Sequence, residues 1–456
     1  MIFSILMCQI FNYIMTLFTK LYYKILNILE NNYIINYLFI KKNNKTYDNK
    51  TYDNKTYDNK TYDNKTYDKQ QVDFIKKKYK NTKIKIGLLT NEIPPIVYGG
   101  VATWIVNFIK MFENDEHMEV IPIFLAHQDD LPEECNKKYN NIRVIKSKND
   151  IKDTFKDIDV CINNLWVALD YITHMKYVCP KLSIISVCHS FIRMENITNC
   201  GSIYTNNFID QEKTFSESDC VVLISQSELQ KYNLFGYNIF DAKTAVIYNM
   251  YQPKFDGIEF NYDYNINDIG YIGRHVPRKR PCLPAKAVKL LNCPDIKVIN
   301  MGVDKKNGSN DYWEKMEKNF SDILNVIYFT SDPKIIENFY KHVCWIVLCG
   351  IYEPFGYTTL QAIDRGKPII VGLIDGPKEI VNDVLKYVVT YDVDVNDYDK
   401  DVENLSKAIE YGLTLLPEQK KHNALMARKC LDKFRPEIIK PNWKDLIYDI
   451  LLLDKP

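Results

Sequence analysis

From residue 83 onward, short continuous runs of apolar and β-branched residues alternate with longer segments of helical pattern. The runs fall at 84–89, 120–125, 142–145, 160–163, 183–187, 221–225 and 245–248, and then at 269–273, 297–301, 326–329, 344–348, 369–372 and 387–390. A strand with one wet face reads as alternation, whereas an uninterrupted apolar run suits a strand of a parallel sheet covered by helices on both sides. The series therefore predicts two doubly wound α/β domains, 83–262 and 263–456, divided near the polar Asp/Asn/Tyr stretch 256–267. Ligands of such sheets bind beyond the carboxyl ends of the strands, so two of them facing each other enclose a cleft. A helix predicted over 443–453 places Trp443, Leu446, Ile447, Ile450 and Leu451 at i, i+3, i+4, i+7 and i+8, a packing stripe.

The first 82 residues follow other patterns. Residues 1–19 carry no charge and are mostly apolar, and they lead through Lys20 and Lys24 into a second Ile/Leu/Tyr-rich stretch ending at Lys41 and Lys42. Segment 1–42 is thus a candidate membrane anchor or interfacial helix, although Ser4, Gln9, Asn12 and Thr16 weaken it; the alternative is a poorly ordered extension. The basic start and small-residue cleavage site of a secretory signal are missing. The lysine excess behind the segment would hold the rest of the chain on the cytosolic face, so the expected location is cytoplasmic. Segment 43–82 holds five copies of N-K-T-Y-D, starting at Asn44, Asn49, Asn54, Asn59 and Asn64. A five-residue period fits neither helix nor strand and offers little aliphatic surface to bury, so it reads as a solvated linker. Each copy is also an N-x-T sequon, usable only in a lumenal location.

Composition narrows the function classes. With 59 basic and 58 acidic residues the formal charge is +1, which gives no global reason to expect nucleic acid as a partner. The charge is split, however: residues 1–80 carry a net +7 and the remainder −6. The 12 cysteines form no C-x-x-C pair and no zinc-like Cys/His spacing, so they read as buried thiols of a reducing compartment. The D-V-D at 392–394 looks like a metal-binding D-x-D, but it lies among Tyr391, Asp397 and Asp399 and reads as a solvated turn. Neither a metal nor a cofactor is expected.

Three constellations sit where a ligand would lie. In N-E-I-P-P-I-V-Y-G-G-V-A-T-W, Gly99 and Gly100 follow the first strand and open a helix over 101–112, whose exposed N–H groups suit a phosphate or oxyanion; a plain tight turn is the alternative. In I-G-Y-I-G-R-H-V-P-R-K-R-P, Gly273 and Arg274 end a strand and Lys279 follows in a loop stiffened by Pro277 and Pro281. Two such cations neutralise a diphosphate, the arginine as a fork and the lysine as a compact charge. The alternative is a solvated basic loop, or a localisation signal, built from Arg278, Lys279 and Arg280. The third, C-G-I-Y-E-P-F-G-Y-T-T-L-Q-A-I-D-R-G-K-P, places Glu353 in the loop before a helix over 357–365 and Gln361 within that helix, where both can meet ligand hydroxyls.

Residues 83–456 resemble the retaining glycosyltransferases of the GT-B fold, family four, the group one family related to glycogen and sucrose synthases. The resemblance is carried by P-P-x-x-x-G-G, by G-R-x-x-x-x-K at 273–279, by E-P-F-G-x-x-x-x-Q-A-x-x-x-G-x-P at 353–368, by G-P-K-E-I-V at 376–381, and by I-Y-N at 247–249 in place of a hinge I-x-N-G. It implies two Rossmann-like domains, an acceptor domain and then a nucleotide-sugar domain, with the last helix crossing back. It further implies that Gly100, with Gly99 and Gly273 beside it, lies near the donor phosphates and that Arg274 and Lys279 bind the diphosphate. Glu353 would sit by the transferred sugar, the backbone of Phe355, Gly356, Tyr357 and Thr358 near its hydroxyls or the phosphates, and His189 near the sugar. Gln361 stands where the family has a second glutamate that holds the ribose, a departure that alters ribose binding. The implied donor is a UDP- or GDP-sugar and the implied acceptor a glycan, lipid-linked or protein hydroxyl, with cations doing the work of a metal. The same frame could instead bind a nucleotide sugar without turnover, or epimerise it.

Overall fold

The computed structural model describes residue 79 and residues 82–452, apart from breaks at 97–98, 127–132, 140, 167, 200–206, 238–241, 257–259, 261, 294, 304–317 and 329. The candidate anchor 1–42 and the N-K-T-Y-D repeat lie outside the described residues. Among those described, no helix is long and apolar enough to cross a membrane.

Strand and helix alternate as the pattern requires. The first series runs β1 (Ile84–Thr90), α1 (Gly100–Phe112), β2 (Met118–Leu125), α2 (Glu133–Lys138), β3 (Arg143–Ile145), α3 (Ile151–Phe155), β4 (Val160–Asn163), α4 (Leu169–Val178), β5 (Ser183–Cys188), α5 (Ile192–Thr198), α6 (Asn207–Ser216), β6 (Cys220–Leu223), α7 (Gln226–Leu234) and β7 (Lys243–Val246). The second runs β8 (Ile269–Ile272), α8 (Leu283–Leu291), β9 (Val298–Val303), β10 (Leu324–Tyr328), α9 (Pro333–His342), β11 (Trp345–Leu348), α10 (Tyr357–Asp364), β12 (Ile369–Gly372), α11 (Asp375–Val381), β13 (Val389–Tyr391), α12 (Tyr398–Thr414), α13 (Pro417–Ala427) and α14 (Pro436–Leu451). Every predicted run overlaps one of these strands.

The strands form two parallel sheets, ordered β3-β2-β1-β4-β5-β6-β7 and β10-β9-β8-β11-β12-β13. Burial follows rank within the sheet: β4, β5 and β6 are buried throughout, while the edge strand β7 is only partly so. Both sheets wind outward in two directions from a pair of central neighbours, β1 with β4 and β8 with β11. At those switch points the outgoing loops diverge to opposite faces and leave a crevice. The loops there are the ones bearing Gly99, Arg274 and Glu353.

Both sheets belong to one compact unit. The last helix, α14, starts seven residues before the predicted 443, because Pro436 occupies its first turn and Pro441 is tolerated inside it. It packs on α1 of the first sheet, where the Trp443 ring meets Trp104 at 5.7 Å and Phe108 at 5.1 Å. Burying rings of this size contributes about 2 kcal/mol each, enough to hold a returning helix in place. Lys440 and Lys444 pin the same helix to Asp115 at 2.8 and 3.0 Å.

Candidate active site

The loop after β8 is held by arginines that sequence reading leaves open as a solvated run. Arg278 and Arg280 are 3% and 7% exposed, which overturns the basic-loop alternative. The Arg278 guanidinium donates to Glu195 Oε1 at 3.1 Å and to the Tyr352 carbonyl at 2.9 Å. Arg280 pairs with Asp401 and donates to the Asp394 carbonyl at 2.9 Å. Asp394 in turn accepts from the backbone N–H groups of Asn396 and Asp397, so the D-V-D end is a hydrogen-bonded turn. With its neighbours anchored, Lys279 is left to the cleft, where its ammonium meets the Glu353 carboxylate. Burial, with Arg278 and Arg274 adding repulsion, pushes the Lys279 ammonium well below its usual range. Arg274 is exposed, and its guanidinium makes no hydrogen bond or ion pair among the described residues.

The loop after β11 is clamped underneath. Ile351 N–H donates to the Arg278 carbonyl at 2.8 Å, and Gly376 N–H donates to the Glu353 carbonyl at 3.1 Å. A Cβ at Gly376 would overlap the Phe355 carbonyl, so only glycine lets α11 sit this close beneath the loop. The Phe355 ring packs against Tyr357 and Phe434 at 5.3 and 5.4 Å, and Phe355 is not among the residues that line the pocket. Gly356 takes a φ of 105° and starts α10 without a side-chain cap. Gly273, Lys279, Glu353, Gly356, Thr358 and Pro377 line the resulting pocket.

From the other sheet, α1 also starts on an uncapped glycine, Gly99. A side chain added at Gly99 would meet only Glu92 Oε2, at 3.6 Å, and one at Gly100 only the Tyr357 ring, at 3.9 Å. Neither contact requires glycine, and Gly99 is extended, so internal packing does not explain the pair. Two helix N-termini, one from each sheet, therefore meet, and both present unsatisfied N–H groups and the positive end of a helix dipole. The Tyr357 hydroxyl donates to the Met250 carbonyl at 3.2 Å, tying α10 to the segment that joins the two sheets.

His189 lies at the end of β5, outside the residues that line the pocket. The Asn164 amide nitrogen donates to the carbonyls of Leu89 and Ile162, which turns Asn164 Oδ1 toward His189 Nε2, 2.8 Å away. Nε2 therefore carries the proton and Nδ1 is an acceptor. Burial pushes this imidazole down to about 3, so it is neutral at physiological pH. Gln361 sits half-buried on α10, and its backbone carbonyl accepts from the Arg365 guanidinium at 3.2 Å. Sequence reading missed Glu92, whose carboxyl is raised by burial while Arg274 pulls it down and Glu195 pushes it up. Its place directly after β1 was the available signal.

Also unforeseen is a clasp between the two sheets' helices. The Tyr352 hydroxyl donates to Glu228 Oε2 at 2.9 Å and accepts from Phe191 N–H at 2.8 Å. Lys231 joins Glu228 and Asp375 at 3.2 and 2.8 Å. Glu379 caps the first turn of α7 by accepting from Gln226 and Ser227 N–H at 2.9 and 2.7 Å. Burial pushes the Glu228 carboxyl up to about 7, opposed by Lys231 and reinforced by Asp375. The unfolded chain loses this proton near 4.5, so from there to about 7 the native state holds a proton that the unfolded state lacks. Stability contributed below that window is lost as pH rises through it. Glu228→Gln is expected to flatten this slope and raise the Tm at pH 8; parallel melting profiles of the two proteins from pH 5 to 8 would show that Glu228 does not titrate there.

Residues 260–415 match the family described as Glycosyl transferases group 1. Over 341 residues the chain is 22% identical to an uncharacterized glycosyltransferase of Methanocaldococcus jannaschii, covering 65% of this chain and 83% of that protein. The fold is similar to that of HepE from Anabaena in complex with UDP-glucose, with a TM-score of 0.63 and 15% identity over 80% of this chain and 99% of the other. It is likewise similar to sucrose-phosphate synthase from Thermosynechococcus elongatus, with a TM-score of 0.64 and 14% identity over 82% of this chain and 100% of the other. Identities this low speak for the fold.

Proposed function

Residues 260–415 belong to the glycosyl transferases of group 1 and make the chain a glycosyltransferase; from that premise we propose that it moves a sugar from a UDP- or GDP-linked donor to a hydroxyl acceptor, with retained anomeric configuration and without a metal ion. The observation that carries the proposal is Lys279 in the pocket wall, with Arg274 near enough to repel it, beside two uncapped helix N-termini beyond the carboxyl ends of both sheets. The complex of HepE with UDP-glucose supports the donor class.

As the bond from the sugar carbon to the diphosphate oxygen lengthens, negative charge gathers on the leaving diphosphate. Arg274 meets it with a forked donor, Lys279 with a point charge, and α1 and α10 with their N–H groups, which is where a metal ion would otherwise act. The acceptor hydroxyl attacks on the face the diphosphate leaves, and a diphosphate oxygen takes its proton, so no protein nucleophile is required. His189 is neutral with an acceptor lone pair at Nδ1, but it does not line the pocket, so the transfer step draws on Arg274, Lys279 and the helix N-termini alone. The acceptor, a glycan, a lipid-linked sugar or a protein, rests on the first sheet's side, and residues 1–42 keep the enzyme at the cytosolic face of a membrane.

Incubation with pooled UDP- and GDP-sugars and a panel of glycoside acceptors, read by mass spectrometry and anomeric NMR, tests this. Released nucleoside diphosphate with a product of unchanged anomeric configuration is expected. Nucleotide sugar bound but never cleaved would leave a binding scaffold, and an isomerised, still nucleotide-linked sugar would make the chain an epimerase.

A further inference from the structure

We propose that Glu353 is a built-in rival of the donor's diphosphate for Lys279, and that this rivalry lets the pocket favour sugar-linked over free nucleoside diphosphate. The proposal rests on the donor-site reading above. Three cations follow β8 in the loop at the cleft besides Arg274, and the structure commits two of them elsewhere: Arg278 to Glu195 and Arg280 to Asp401. Lys279 is the third, and its partner is the Glu353 carboxylate, with side chains 18% and 23% exposed. Backbone contacts hold Glu353 in place, since its carbonyl accepts from Gly376 N–H at 3.1 Å. The fixed main chain keeps the carboxylate within reach of the pocket that Glu353 lines when Lys279 leaves it. Burial also disfavours an unpaired Lys279 ammonium, so the lysine always wants an anion beside it.

A diphosphate entering between Arg274 and Lys279 has to take the lysine from Glu353. The displaced carboxylate is half-buried, and leaving it without a hydrogen-bond donor costs free energy. A sugar on the diphosphate brings hydroxyl donors to that wall, whereas free nucleoside diphosphate brings none. The donor thus recovers what the displacement costs, and the product does not. Free nucleotide leaves readily as a result.

Calorimetric titration of the full chain and of Glu353→Gln with UDP, GDP, UDP-glucose and GDP-mannose tests this. The glutamine variant is expected to bind the free diphosphate about fivefold tighter, while its affinity for the matching nucleotide sugar stays level or falls. In a Lys279→Met background, adding Glu353→Gln should raise diphosphate affinity by a clearly smaller factor than in the wild type, because the rivalry has no object and only direct charge repulsion is relieved. Glu353→Asp, which keeps the charge but draws it back from Lys279, should shift affinity in the same direction by a smaller factor and serves if the glutamine variant does not fold. Unchanged affinity for the free diphosphate in a folded variant would overturn the rivalry and leave the donor site standing. A wild-type chain that binds none of the four ligands would overturn both.

Discussion

Lys279→Ala is expected to lower sugar transfer at least about a hundredfold, and Arg274→Ala by a similar factor, as happens when a single preorganised donor to a developing anion is removed. The two effects have different structural costs. Arg274 is exposed and its guanidinium bonds to nothing among the described residues, so its removal should move stability by no more than about 0.5 kcal/mol. Lys279 leaves an unpaired Glu353 behind, so its variant should melt slightly earlier while remaining folded. Released nucleoside diphosphate per unit time, measured alongside thermal melts, separates the two readings. An Arg274→Ala enzyme that kept more than about a third of its kcat/KM would remove that residue from the diphosphate's neighbourhood.

Arg278→Ala should behave in the opposite way, although it lies only four residues further along. Its guanidinium is buried and holds Glu195 and the Tyr352 carbonyl, one partner from each side of the cleft. Removing it strands the Glu195 carboxylate out of water, and breaking a buried pair in this manner costs about 3 kcal/mol or more. Urea denaturation should show a lower midpoint at unchanged slope, and activity should fail first on warming. A midpoint equal to that of the wild type would mean that the Arg278–Glu195 pair contributes nothing to the joining of the two sheets.

The contrast between these arginines marks the limit of what the sequence discloses. The strands were legible because continuous apolar runs have few other uses, and their ends pointed to Lys279 and Glu353, which the fold brings into contact. Nothing local distinguishes Arg278 and Arg280 from Arg274. Their burial depends on Glu195 and Asp401, which are 83 and 121 residues away in the chain. Tyr352 looks like an ordinary loop tyrosine until Glu228, 124 residues away, is beneath its hydroxyl. The start of α14 lies ahead of the predicted 443 because burial of the helix outweighs the one hydrogen bond that Pro441 removes. Glu92 was visible as the carboxylate after β1, but only the fold brings Arg274 within range of it.

The return of α14 to α1 means that the backbone passes between the two sheets twice. Two such straps restrain sliding and spinning of one half against the other more than they restrain a tilt about the line through both. The same arrangement orders folding along the chain: the first sheet is made before the second, yet the faces of Trp104 and Phe108 that meet Trp443 stay uncovered until that residue has been made.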